Sequence, residues 1–158
     1  MTHITPHLWF DDNAEEATAF YVSLFPNSRI ARTTNSHTKT PGGPAGSVQI
    51  IEFTLADQPF LALNGGPKDV FNHAISFIHY CADQAEIDRL WHGLAEGGST
   101  EMCGCVKDRF GLSWQIVPKV LAEMLADPDR DRAKRAMDAM MAMDKINIAG
   151  LVAAYDVK

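Results

Sequence analysis

A chain of 158 residues, 46% hydrophobic and 22% charged, is long enough to bury one substantial core and has the make-up of an ordinary globular fold. Its formal net charge of −6 argues against nucleic acid as a partner, because phosphate recognition needs a basic surface. No apolar run approaches the roughly 20 residues of a membrane span. The start MTHITPHLWF has no basic region leading into an apolar one, and three cysteines, an odd number, suit a reducing compartment. A cytoplasmic protein with no membrane partner is expected.

In chain order, residues 4–10 form a short apolar segment with Pro6 near its start, as in an edge or terminal strand. Asp11-Asp12-Asn13 then opens a helix. Asn13 is placed to cap it with Glu16 reaching back, and Ala14, Ala17, Phe20, Tyr21 and Leu24 recur at helical spacing. Pro26 ends it. Strands are predicted over 29–34, 49–55 and 60–63, the last two joined by Ala56-Asp57-Gln58-Pro59. Residues 38–46, with Pro41-Gly42-Gly43-Pro44, read as a mobile loop, and Asn64-Gly65-Gly66-Pro67 as a connection.

The pattern then repeats. A strand over 74–81 leads to a helix over 83–94, capped by Asp83 with Glu86 three residues on and striped by Ile87, Leu90, Trp91 and Leu94. Strand-like pieces follow at 100–102, 104–107 and 112–117. Asn13 and Asp83 stand 70 residues apart, so the chain reads as two copies of strand, helix, three strands. In the last strand Leu112, Trp114 and Ile116 share one face, while Ser113, Gln115 and Val117 share the other. A polar group between small neighbours is what a cavity wall looks like. The turn Asp108-Arg109-Phe110-Gly111 precedes that strand, and Pro118 closes it.

The remaining stretch is helical. A short helix over 120–126 precedes one capped by Asp127 with Pro128 in its first position. Ala133, Ala136, Met137, Met140 and Met143 or Met141 keep helical spacing, as a face packed on the sheet or on another subunit would. Residues 146–155 add a last helical turn or two.

With this tandem pattern and the stretches ITPHLWFDDNAEEATAFY, FPNSRI, ADQAEIDRLWHGLAEGG, KDRFGLSWQIVP and AMMAMDKINIAGLVAAY, the sequence resembles the PhnB-like branch of the vicinal-oxygen-chelate superfamily, which includes glyoxalase I, bleomycin-resistance proteins and extradiol dioxygenases. The resemblance implies an α+β fold of two tandem βαβββ modules, about 3–65 and 72–118. Their curved mixed sheets surround a shared cavity within one domain spanning 1–158, and a C-terminal helical tail covers 119–158. It also implies a homodimer, which the apolar tail loosely supports. Proteins of this branch often carry the label 3-demethylubiquinone-9 3-methyltransferase. No strand here leads through a glycine-rich loop into a helix, so methyl transfer has no support in the residues.

In metal-using relatives four inward side chains, from first and fourth strands, hold a divalent ion. Carried over one at a time, the fourth-strand positions fall on Gln115 and Ala62, and the first-strand positions near Thr5 or Pro6 and near Ser76. A one-residue slip brings in His7; a three-residue shift brings in His73. Alanine has no donor atom and an amide is a weak ligand, so the expectation is no metal and no cofactor. The expected role is binding of a small-molecule ligand by Gln115, Ser76, Asn64, Ala62, His7 and Trp9, with no catalytic residue assigned. The alternative is an enzyme of lyase, isomerase or dioxygenase type using zinc, nickel, manganese or iron. His7, His73 and His79 with Glu52 form the weaker candidate metal set. Cys81 reads as a small core residue, and Cys103-Gly104-Cys105 as weak grounds for zinc.

Overall fold

A computed structural model describes residues 4–157, so the expected boundaries at residues 3 and 158 lie outside the described residues. The chain divides into two compact units, Met1–Val70 and Phe71–Lys158. The first runs β1 (His7–Phe10), α1 (Ala14–Leu24), β2 (Arg29–Asn35), β3 (Val48–Leu55), β4 (Gln58–Asn64). The second runs β5 (Ser76–Cys81), α2 (Gln84–Ala95), β6 (Ser99–Thr100), β7 (Cys105–Lys107), β8 (Ser113–Pro118) and continues into α3 (Lys119–Leu125), α4 (Arg130–Met141) and α5 (Ile148–Tyr155). Both sheets are four-stranded and mixed, with orders β1-β4-β3-β2 and β5-β8-β7-β6. In each, the first strand pairs parallel with the fourth, and the other pairings are antiparallel. The fold is therefore α+β, a βαβββ unit twice over with C-terminal helices added.

Alternation along the strands decides which side chains meet the helix. In the first module Leu8, Phe10, Ile51, Phe53, Phe60 and Ala62 are buried on one face, with Ala14, Ala17, Thr18 and Tyr21 of α1. Phe53 and Phe60 stack at 5.5 Å between ring centroids. In the second module Trp114, Ile116, Val106 and Cys81 are buried with Ile87, Leu90, Trp91 and Leu94 of α2. The opposite faces, away from α1 and α2, carry His7, Trp9, Leu61 and Leu63 in the first module and Ser76, Ile78, Tyr80, Gln115 and Val117 in the second.

The two helices start differently. Asp83 caps α2 as its sequence predicts, accepting from the Glu86 N–H at 2.8 Å while Glu86 Oε2 accepts from the Ala82 N–H at 2.8 Å. Asn13 makes no side-chain cap bond. The α1 start is served from β4 instead: Asn64 Oδ1 accepts from the Ala14 N–H at 2.8 Å. Because the partner is 50 residues away, no local motif announces it.

The tail folds onto its own module. Val117, Leu121, Met124, Ala136, Ile146 and Leu151 form one buried cluster. Met137 and Met141 are exposed, so Ala136, Met140 and Met143 are the members of the expected stripe that pack on it. The backbone of the loop before β7 receives the chain after α4. Cys103 N–H donates to Met143 O at 2.7 Å, and Gly104 N–H donates to Asp144 O at 2.8 Å. Gln84 adds a second fastening, donating to Ile146 O at 3.0 Å and accepting from the Ile148 N–H at 2.9 Å. The cap of α4 is Asp129 rather than Asp127, since Asp129 Oδ1 accepts from Asp131 and Arg132 N–H. Asp127 is turned to the Tyr155 hydroxyl and the Asp129 N–H.

Candidate functional site

The open face of the second module is shaped by one buried carboxylate. Asp108, 2% exposed, accepts from Phe110 N–H at 2.9 Å and Leu112 N–H at 3.0 Å through Oδ1, and from Trp114 Nε1 at 2.8 Å through Oδ2. Gly111, at φ 88, completes the turn in the left-handed region that a Cβ resists. With Trp114 anchored toward α2, period 2 turns Ser113, Gln115 and Val117 the other way. Gln115 Nε2 then donates to Ser76 Oγ at 2.9 Å. Gln115 lines a cleft of about 310 Å³ whose other lining residues are Ile78 and Tyr80 of β5, Val117 of β8, Leu121, Ala122 and Leu125 of α3, Met140 of α4, and Cys103. The expected pair Gln115 and Ser76 thus shares one face, and the tail supplies a wall that the sequence did not foretell.

In the first module the expected residues separate. Ala62 is fully buried, paired with Leu8 and Ile51 on the α1 face. Its expected place in a cavity is off by one residue, and Leu61 and Leu63 occupy the open face instead. Asn64, 5% exposed, serves α1: besides capping Ala14 it donates to Glu15 Oε2 at 2.7 Å and to Val48 O at 3.0 Å. His7 and Trp9 do lie on the open face. Trp9 packs so tightly on Gly65 that a Cβ there would sit 2.3 Å from the ring, and its Nε1 donates to Gly66 O at 2.9 Å. A second cleft of about 200 Å³ runs along Thr5, Ala31, Glu52, Thr54 and Leu61, and the buried Thr54 hydroxyl has no partner among the described residues.

Glu52, His79 and His73 each have a partner within their own unit. Glu52 is held by Arg32, whose Nε donates to Oε1 at 2.8 Å. His79 lies on the α2 face, where its Nε2 is 3.0 Å from Glu86 Oε1. His73 precedes β5, with Nδ1 3.4 Å from Ser113 Oγ and Nε2 3.6 Å from Glu101 Oε1. The faces turned away from α1 and α2 carry, in the second module, the Ser76 hydroxyl bonded to the Gln115 amide and, in the first, the His7 imidazole next to Leu61. These donors do not fit a hard divalent cation. Among the described residues one group of three ligand-type side chains comes within an ion's reach: His79, Cys81 and Glu86. Burial pushes the Cys81 thiol up to about 12, with Glu86 and Asp83 adding to the shift and Arg89 opposing it. Burial also works against the Glu86 charge, but the Ala82 N–H, His79 and Arg89 outweigh it and hold the carboxyl below its ordinary range.

The family described as 3-demethylubiquinone-9 3-methyltransferase matches residues 2–117, which leaves α3 to α5 beyond the matched residues. A structure described as a putative 3-demethylubiquinone-9 3-methyltransferase, PhnB protein, from Bacillus cereus is 32% identical, with a TM-score of 0.66, over 74% of this chain and 99% of that one. Protein PA1353 from Pseudomonas aeruginosa is 22% identical, TM-score 0.64, over 75% and 98%. The fosfomycin resistance protein FosX from Mesorhizobium loti, 18% identical with a TM-score of 0.55 over 80% and 100%, has a similar fold. No curated protein matches the sequence.

Proposed function

Since the chain belongs to the PhnB-like family described as 3-demethylubiquinone-9 3-methyltransferase, within the vicinal-oxygen-chelate superfamily, we propose that it binds a small molecule in the second module, in the cleft between the sheet and helices α3 and α4. The observation that carries this reading is the cleft itself. Its 310 Å³ is at the lower end of the roughly 300–1,000 Å³ typical of ligand sites, and its walls are apolar around a single amide. Gln115 spends its Nε2 on Ser76, which leaves Oε1 as an acceptor for a donor on the ligand. A compact, largely apolar molecule with one hydroxyl or amine suits that arrangement. The binding needs no metal in this reading.

Methyl transfer is not the activity we propose. The strand-to-helix turns at Asp11-Asp12-Asn13 and Ala82-Asp83 carry no glycine-rich loop of the kind that cradles a nucleotide-like cofactor. A homodimer is part of the proposal, supported by β2, an edge strand whose seven residues are all exposed. A solution mass equal to one chain would remove that part.

The cleft is tested by screening small aromatic alcohols and amines for thermal stabilisation of the wild type and two variants. Compounds that stabilise the wild type are expected to lose at least tenfold in affinity in Gln115→Leu and to fail with Ala122→Trp, which fills the cleft. Stabilisation that persists unchanged in Ala122→Trp would refute the site.

A further inference from the structure

A second cluster of chemistry lies on the other side of the same sheet. His79 and Cys81 are two apart on β5, so both point to the α2 face. The two-residue connection Ala82-Asp83 then brings Glu86, in the first turn of α2, over the end of the strand. The spacing His-x-Cys-x4-Glu is thus made local by a strand, a tight turn and a helix start. One nitrogen, one sulfur and one carboxylate oxygen lie within 4.8 Å of one another.

We propose that His79, Cys81 and Glu86 bind a zinc-class divalent ion, with water in the fourth position, on the α2 side of the second module. Zinc bonds of about 2.0 Å to nitrogen and 2.3 Å to sulfur put tetrahedral ligand atoms about 3.5 Å apart, so closure needs side-chain shifts of about 1 Å. The carboxylate is already oriented. Glu86 Oε2 is occupied by the Ala82 N–H, and the Glu86 N–H is held by Asp83, which leaves Oε1 turned toward His79. Cys81 is fully buried, but the His79 and Glu86 side chains are 17% and 20% exposed, so an ion has a way in from solvent. Asp83 and Glu86 offset the positive charge of Arg89 nearby. The mixed S/N/O donor set selects zinc or cobalt over magnesium or calcium, which demand oxygen. Without metal the same residues form a helix cap with a His79–Glu86 pair, which is the competing account of why they meet.

Cobalt separates the two. Co²⁺ is titrated into the full-length reduced protein and followed by absorption. The expected result is one equivalent bound, with a thiolate-to-cobalt charge-transfer band and visible bands of four-coordinate cobalt, all displaced by Zn²⁺. Cys81→Ser should lose the charge-transfer band, His79→Gln should weaken binding at least tenfold, and the double change Cys103→Ser with Cys105→Ser should leave it intact. The proposal fails if no such band forms, if it survives Cys81→Ser, or if it vanishes with Cys103 and Cys105. Should Cys81→Ser not fold, His79→Gln decides: unchanged affinity overturns the site.

Discussion

The two modules share one topology and hold it by different means. The first has long second and third strands, of 7 and 8 residues, and starts its helix with a side chain borrowed from β4. The second has second and third strands of 2 and 3 residues, starts its helix with its own Asp83, and recruits three further helices. Strand length and added packing do the same job here. Where the ladder is short, buried apolar area from the tail and the Asp108 hydrogen bonds make up the difference, and the helices that supply it also enclose the cleft.

Four substitutions bear on this contrast. The largest effect belongs to Asp108→Ala, which removes the carboxylate that accepts from the Trp114 indole N–H and two backbone N–H groups. A loss of about 3 kcal/mol is expected in urea unfolding; a loss no larger than that of a surface residue would mean that the second module does not depend on its turn. Next is Asn64→Ala, which removes the distant cap and two donor bonds and should cost about 2 kcal/mol, against about 1 kcal/mol for Asp83→Ala. Equal costs would erase the distinction between a borrowed and a local cap. The smallest is a pH effect in the tail. The Tyr155 hydroxyl and the Asp129 N–H hold the Asp127 carboxyl below the usual aspartate range, with Arg132 assisting, although desolvation opposes them. A depressed carboxyl stabilises the fold above its unfolded value, and that contribution disappears as pH falls through the lowered folded value. The gap in unfolding midpoint between wild type and Asp127→Asn should therefore be present at neutral pH and close in strong acid.

What could be read without coordinates followed from local pattern. Period 2 in Ser113-Trp114-Gln115-Ile116-Val117 gave the right two faces, and the Asp83/Glu86 signature gave a real cap. The failures have two physical causes. Ala62 was misplaced because FLAL is apolar at every position, and an apolar run does not declare its register. Asn13 looked like a cap, but the Ala14 N–H went to Asn64, a partner that sequence spacing cannot reveal. The wall that α3 and α4 give the Gln115 cleft was hidden for the same reason. The His79-Cys81-Glu86 group follows from strand alternation plus a capping box, joined by the two-residue connection Ala82-Asp83.

Gly104 sets a limit on protein engineering. Its carbonyl accepts from Ile116 N–H at 2.7 Å, its N–H reaches Asp144 O, and a methyl on its left-handed Cα would stand 2.7 Å from Ile116 O. Any graft that exchanges the C-terminal helices for another appendage must leave this position bare and offer it a carbonyl of its own. Otherwise the hybrid would lose its anchor and disturb the β7–β8 ladder in a single stroke.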